Sequence, residues 1–198
     1  MNILLKDLLK ETMADYAEKS PLKIQCYVDM DGVLVNMDKG FKEISGGLLP
    51  EEIYDLPELK GNKKAGQKRF WQLIDAVPNF WINLEPNPDA KVLWDFIRDN
   101  FKNPAPVILS AGQGTDITEQ KTAWIRKHID PNVKVIIARS GPRKPEYILD
   151  IPGRVTHVLV DDMQKNIDAW DNSALHRVAI LHTGAASSIS QLKKFLPE

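Results

Sequence analysis

Ile24-Gln25-Cys26-Tyr27-Val28-Asp29-Met30-Asp31-Gly32-Val33-Leu34 is the stretch on which the fold turns. Its first five residues form a short, largely apolar run with β-branched and aromatic members, the pattern of a buried strand. Two acids separated by one residue come next, and then a glycine. In extended backbone Asp29 and Asp31 project to the same side, and Gly32 lets the chain turn sharply so that both stay near one ligand.

Outward from this stretch, similar runs recur at residues 107–109, 133–138, 155–160 and 178–182. Helical patterns lie between and after them, at 88–101, 118–129, 144–149, 164–170 and 187–195. Strand and helix in alternation predict an α/β fold, a three-layered, Rossmann-like parallel sheet wrapped by helices. Ligands of such sheets bind at the carboxyl ends of the strands, so chemistry is sought just after each apolar run.

One stretch breaks the alternation. Residues 36–83 hold no buried strand and two helical candidates, 51–56 and 65–77, and read as a small helical cap inserted into one core made of residues 1–35 and 84–198. Gly46-Gly47 and Pro50 mark its joints, and Phe70, Trp71, Leu73 and Ile74 give it an apolar helix face. Residues 84–88, with Pro86 and Pro88, read as the linker back to the sheet.

The 198 residues carry 26 basic and 27 acidic side chains, which excludes a polybasic or polyacidic protein, and 43% hydrophobic content supplies one sizeable core. The single Cys26 allows neither an internal disulfide nor a thiolate metal site, and a reducing, cytoplasmic location is expected. Ile3, Leu4, Leu8 and Leu9 recur at helical spacing, interrupted by Lys6, Asp7, Lys10 and Glu11. That predicts an amphipathic helix lying on the main body, with no export signal. No run of ~18 uncharged apolar residues occurs, so a membrane is not an expected partner. The four histidines fall in different elements without ligand spacing, which argues against zinc.

Four strand ends carry the chemistry. After the first stand Asp29 and Asp31, one carboxylate able to attack an electrophile and one able to manage a proton. After the second come Ser110 and Ala111-Gly112-Gln113-Gly114-Thr115, a hydroxyl and a glycine-containing loop whose backbone amides can approach an anion. After the third comes the basic run Arg139-Ser140-Gly141-Pro142-Arg143-Lys144. After the fourth come Asp161 and Asp162, adjacent acids that repel unless a cation lies between them and the first pair.

In this order the four segments resemble the four motifs of the haloacid dehalogenase-like phosphohydrolases, over roughly residues 24–183. The resemblance implies an aspartyl-phosphate mechanism. Asp29 matches the nucleophile, Asp31 the acid/base, and Ser110, with Ala111 beside it, and Lys144 the phosphate-holding groups. Asp162 and Asp161 match the acids that complete a Mg2+ site with the Asp29 carboxylate and the Asp31 backbone carbonyl. Arg143 competes with Lys144 for the amine role, and the compact charge of lysine favours Lys144. Asp161-Asp162 with Asn166, Ile167 and Trp170, and the helix bearing Lys121, Trp124 and Lys127, are most similar to the 5′(3′)-deoxyribonucleotidases. Ser110-Ala111-Gly112 departs from the threonine, serine and proline usual there. The phosphatase domain of phage-type polynucleotide kinases shares much of the pattern.

The expected substrate is therefore a small phosphomonoester, a nucleoside 5′- or 3′-monophosphate first. A phosphorylated nucleic-acid end, another small metabolite, or a non-catalytic phospho-ligand module are the alternatives. Phe70, Trp71, Phe80 and Trp81 are candidates for a base-stacking wall or for plain core. Arg139 and Arg143 are candidate substrate contacts. Lys60, Lys63, Lys64, Lys68 and Arg69 make the cap locally basic, either as a solvated face or as a polyanion contact.

Overall fold

A computed structural model describes residues 23–59, 62–148, 155–174 and 176–196. The helix expected over residues 3–9, and Lys60, lie outside them. The five apolar runs are strands: β1 Lys23–Val28, β2 Val107–Ala111, β3 Lys134–Ala138, β4 Val155–Asp161 and β5 Arg177–Leu181. All pair in parallel, in the order β3-β2-β1-β4-β5. The helices are α1 Met37–Ser45, α2 Lys63–Asp75, α3 Ala90–Asn100, α4 Thr115–His128, α5 Gln164–Asp171 and α6 Ala185–Leu192.

Side-chain alternation along the strands divides the core in two, as a sheet covered on both faces requires. Cys26, Val28, Ile108, Val158 and Val160 join one cluster with Leu93, Trp94, Ile97, Trp124 and Leu192 of α3, α4 and α6. Tyr27, Val107, Leu109 and Leu159 join the other with Trp170 of α5 and Ile148. Trp94, Trp124 and Trp170 are at most 1% exposed and act as the bulk that fixes each helix to the sheet.

Register sets the level of the strand ends. Val28 lies beside Val160 on one side and Ile108 on the other. Asp29 and Asp161 are the next residues on their strands and Ser110 is two past Ile108, so all three meet at one edge of the sheet. Asp29 N donates to Val160 O at 2.9 Å, which extends the β1–β4 ladder to the acid itself.

Between β1 and β2 the chain is helical, with α1, a short 3-10 turn Glu52–Asp55, α2, a second 3-10 turn Trp81–Asn83 and then α3. The helical candidates read from the sequence, 51–56 and 65–77, do not include α1, which has Gly40 inside it. The structure uses that glycine for close approach, since a Cβ there would overlap Leu84. Asn36 caps the helix by accepting from Lys39 N at 3.0 Å, and Met37 and Phe41 are buried on its inner face. The chain entering this helical segment and the chain leaving it run side by side. Asn36 N donates to Glu85 O at 2.8 Å and Asn87 N to Leu34 O at 2.9 Å, while Asn87 Nδ2 binds Gly32 O at 3.0 Å and Val33 O at 3.1 Å.

The helix expected at residues 144–149 is a 3-10 segment, Gly141–Tyr147, because Pro145 has no N–H to continue an α-helical ladder. Among the described residues no helix is long and apolar enough to cross a membrane.

Candidate active site

Asp29 is 5% exposed and both its oxygens are held, Oδ1 by Met30 N at 2.7 Å and Oδ2 by Lys144 Nζ at 2.9 Å. Lys144 is fully buried in the 3-10 segment after β3 and also meets Asp161 Oδ2 at 2.6 Å. Asp161, 0% exposed, is satisfied on every side, its Oδ1 accepting from Met163 N at 2.9 Å and from Asn166 Nδ2 at 2.9 Å. Burial works against the Lys144 charge, but the fields of Asp29 and Asp161 and its bonds to them outweigh it and hold its pKa above the ordinary lysine value.

Asp162 faces a different way. Gly32 turns against it at φ +74°, a left-handed conformation that suits glycine, and a Cβ on Gly32 would overlap the Asp162 carboxylate. Asp162 Oδ1 is buried without a hydrogen-bond partner among the described residues. One oxygen each from Asp29, Asp161 and Asp162 falls within 4.8 Å of the others. Burial first, then the neighbouring Asp161 and Asp31, pushes the Asp162 pKa up to about 7. Burial raises that of Asp29 as well, opposed by Lys144 and reinforced by the other acids.

Three carboxylates, Asp29, Asp31 and Asp161, thus pair with two ammonium groups, Asp162 lies beside them, and Asp31 Oδ1 and Asp162 Oδ1 are buried without a hydrogen-bond partner among the described residues. A hard divalent cation fits this donor set, which is all oxygen and carries surplus negative charge. Asp29 and Asp162 would hold it directly. Asp161 is committed to Lys144 and Asn166 and stands behind them.

The second ammonium is Lys121, on α4. It is fully buried and its three protons reach Asp31 Oδ2 at 2.5 Å, Ala111 O at 2.7 Å and Ser110 Oγ at 3.2 Å. Sequence reading names Ser110, Ala111 and Asp31 but gives Lys121 no role at the site. A signal exists: Ile117, Lys121, Trp124 and Ile125 share the inward stripe of α4, and a lysine in such a stripe needs a buried partner. The two lysines reach the site from opposite faces of the sheet, Lys144 from the side of α5 and Lys121 from the side of α4.

Two solved structures resemble this arrangement of sheet and helices. A proposed haloacid dehalogenase-like hydrolase of Burkholderia xenovorans LB400 is 14% identical, with 83% of this chain and 84% of that chain covered and a TM-score of 0.50. A proposed beta-phosphoglucomutase of Bacteroides vulgatus is 14% identical, with 100% of each chain covered and a TM-score of 0.51. The fold is that of the haloacid dehalogenase-like hydrolases. No protein-family profile and no curated protein sequence matches the chain.

Around these acids and lysines the remaining candidates are spread out. Phe70 is half-buried and stacks on Phe41, ring centroids 5.0 Å apart, with Trp71 edge-on to it at 5.1 Å. Trp81 is the aromatic that the structure brings to the acids and lysines, its ring centroid 4.0 Å from Lys121 Nζ. Arg143 is exposed and forks onto Glu146 at 2.6–2.9 Å, so the amine within reach of Asp29 is Lys144. Arg139 and Arg143 line an open groove of ≈ 830 Å3 with Gln113, Thr118 and Tyr147, beyond the loop after β2.

Proposed function

We propose that the chain is a Mg2+-dependent phosphomonoesterase that works through an aspartyl-phosphate on Asp29. The observation that carries this is Asp29 itself: a buried carboxylate at a strand end, pinned by Met30 N and Lys144, grouped with Asp162, whose Oδ1 has no partner among the described residues, and at the same sheet edge as Ser110. A carboxylate meets a phosphate dianion only where positive charge offsets their repulsion.

The residues divide the work. Ser110 Oγ and Lys121 hold phosphoryl oxygens at the end of β2, and Lys144 opposes the burial that raises the Asp29 pKa and aims the carboxylate. Asp29 attacks phosphorus, and Asp31 gives its proton to the departing alkoxide oxygen. Asp31 then takes a proton from water as the water attacks the aspartyl-phosphate, which returns Asp29 and releases phosphate. Mg2+, held by Asp29 and Asp162, would neutralise phosphoryl charge as a Lewis acid.

A nucleoside monophosphate is the favoured substrate, supported by the partly buried aromatics Phe70 and Trp71 of the helical segment between β1 and β2. A second reading, the phosphorylated end of an oligonucleotide, is supported by Lys63, Lys64, Lys68 and Arg69. These are exposed on α2, and none joins an ion pair among the described residues. The test is a panel of nucleoside monophosphates, sugar phosphates and 3′-phosphorylated oligonucleotides assayed with Mg2+. Nucleotides should lead in kcat/KM. Oligonucleotide ends leading, with a steep fall as salt rises, would select the second reading. No release of phosphate from any of them would overturn the proposal.

A further inference from the structure

Trp81 opens the 3-10 turn at the end of the helical insertion and is 4% exposed. Its ring lies over the Lys121 ammonium, 4.0 Å from centroid to Nζ. All three protons of that ammonium are engaged by Asp31, Ala111 and Ser110, and the ring covers a further side. A desolvated ammonium draws more from the negative face of an indole than an exposed one does, and Lys121 is 0% exposed.

The segment is fastened to α4 on both sides of that contact. Trp81 N donates to Gln120 Oε1 at 3.1 Å, and Gln120 Nε2 is itself anchored on Asp116 Oδ2 at 2.6 Å. Trp124 Nε1 donates to Leu84 O at 2.7 Å. Gln120 and Trp124 flank Lys121 on the same helix, so the indole and the ammonium are set against each other by fixed backbone. A lysine stem has four rotatable carbons, and nothing in α4 alone would keep its tip at the end of β2.

We infer that Trp81 is a positioning residue, its π-face seating the Lys121 ammonium against Ser110 and Ala111 so that the insertion completes a phosphate site begun by the sheet. The phosphate half of this statement rests on the proposed function; the ring–ammonium half rests on geometry alone. An incoming phosphoryl oxygen would take one Lys121 N–H from its present acceptor, with Nζ staying in place.

The test replaces Trp81 site-specifically, in the full chain, by tryptophans bearing one to four fluorines. These weaken the π-face stepwise at nearly constant size, so a loss of fold does not confuse the result. Solvent exchange of the Lys121 ammonium protons is followed by nitrogen-15 NMR, the signal assigned by its loss in Lys121→Arg. Inorganic phosphate binding with Mg2+ is measured by calorimetry. Exchange should quicken with each fluorine, and phosphate affinity should fall in parallel, by about three- to thirtyfold across the series. In Lys121→Gln the phosphate affinity should not vary with fluorine number. An exchange rate independent of fluorination overturns the inference. Graded exchange with constant phosphate affinity overturns its phosphate half. Graded exchange in a protein that binds no phosphate at all overturns the proposed function and leaves the ring–ammonium role supported.

Discussion

Lys144 Nζ lies closer to Asp161 Oδ2, at 2.6 Å, than to Asp29 Oδ2, at 2.9 Å. The first of two adjacent acids is therefore the counter-ion of a buried lysine, and the second, Asp162, is the one with an oxygen to spare. The two acids do different work, and their substitutions separate it.

Asp162→Asn should raise the Mg2+ concentration needed for half-maximal activity by at least about tenfold, as loss of a direct carboxylate ligand does. Asp161→Asn should leave that requirement within a fewfold while lowering stability, because it breaks the buried Lys144–Asp161 ion pair and leaves the ammonium with Asp29 as its other carboxylate. Breaking such a pair costs about 3–5 kcal/mol. Metal titrations of activity and urea unfolding of both variants decide the matter. The same metal dependence for the two would show that Asp161 is a direct ligand after all.

Asp29→Asn should abolish turnover with the fold intact, since an amide does not attack phosphorus at a useful rate. Asp31→Asn should be equally slow on alkyl phosphates but retain burst labelling of the protein by a substrate with a good leaving group. Steady-state rates, circular dichroism and acid-quenched phosphoenzyme assays check both. Turnover of Asp29→Asn above a few per cent of wild type would remove it as nucleophile.

The Asp162 pKa of about 7 sets a pH window. An acid whose folded pKa is raised binds more protons folded than unfolded, so stability falls as pH climbs from its ordinary value of 3.8 toward about 7 and levels off above. Mg2+ competes with that proton, so its affinity should grow with pH up to about 7 and then plateau. Thermal unfolding of metal-free protein across this range, and Mg2+ calorimetry at each pH, should show the two trends in opposite directions. In Asp162→Asn the decline in stability should be smaller.

Lys121→Met should cut kcat/KM by about two to three orders of magnitude, the scale of one lost charge-stabilising donor. Lys121→Arg should not rescue it, because three convergent bonds to Asp31, Ala111 and Ser110 suit a rotatable ammonium and not a planar fork. Kinetics of the two variants on one nucleotide are enough. Full activity in either would displace Lys121 from the site.

Gly32→Ala should destabilise the protein and weaken Mg2+ binding together. It imposes a left-handed φ of +74° on a residue with a Cβ and drives that Cβ into the Asp162 carboxylate. Strain of this kind costs about 1–3 kcal/mol, or about 2–12 °C in Tm for a domain of this size. Scanning calorimetry with and without Mg2+ reads both effects.

The five strands, their parallel arrangement and the placement of Asp29, Asp31, Ser110, Asp161 and Asp162 at strand ends are legible in the sequence. Strands buried on both faces must be continuous apolar runs, and a parallel sheet gathers the residues just past their carboxyl ends at one edge. Lys144 is legible for the same reason. Residues that reach the edge from elsewhere are not. Lys121 comes from the middle of a helix and Trp81 from a 3-10 turn between α2 and α3, and α1 forms across a glycine because Leu84 needs the room. Which acid pairs with Lys144 is equally invisible in two adjacent aspartates. Strand alternation decides it, since Asp161 continues the side of Leu159 toward the face that carries Lys144. Local pattern determines which elements form and where they end; only packing across the sheet's two faces decides which distant charges share one site.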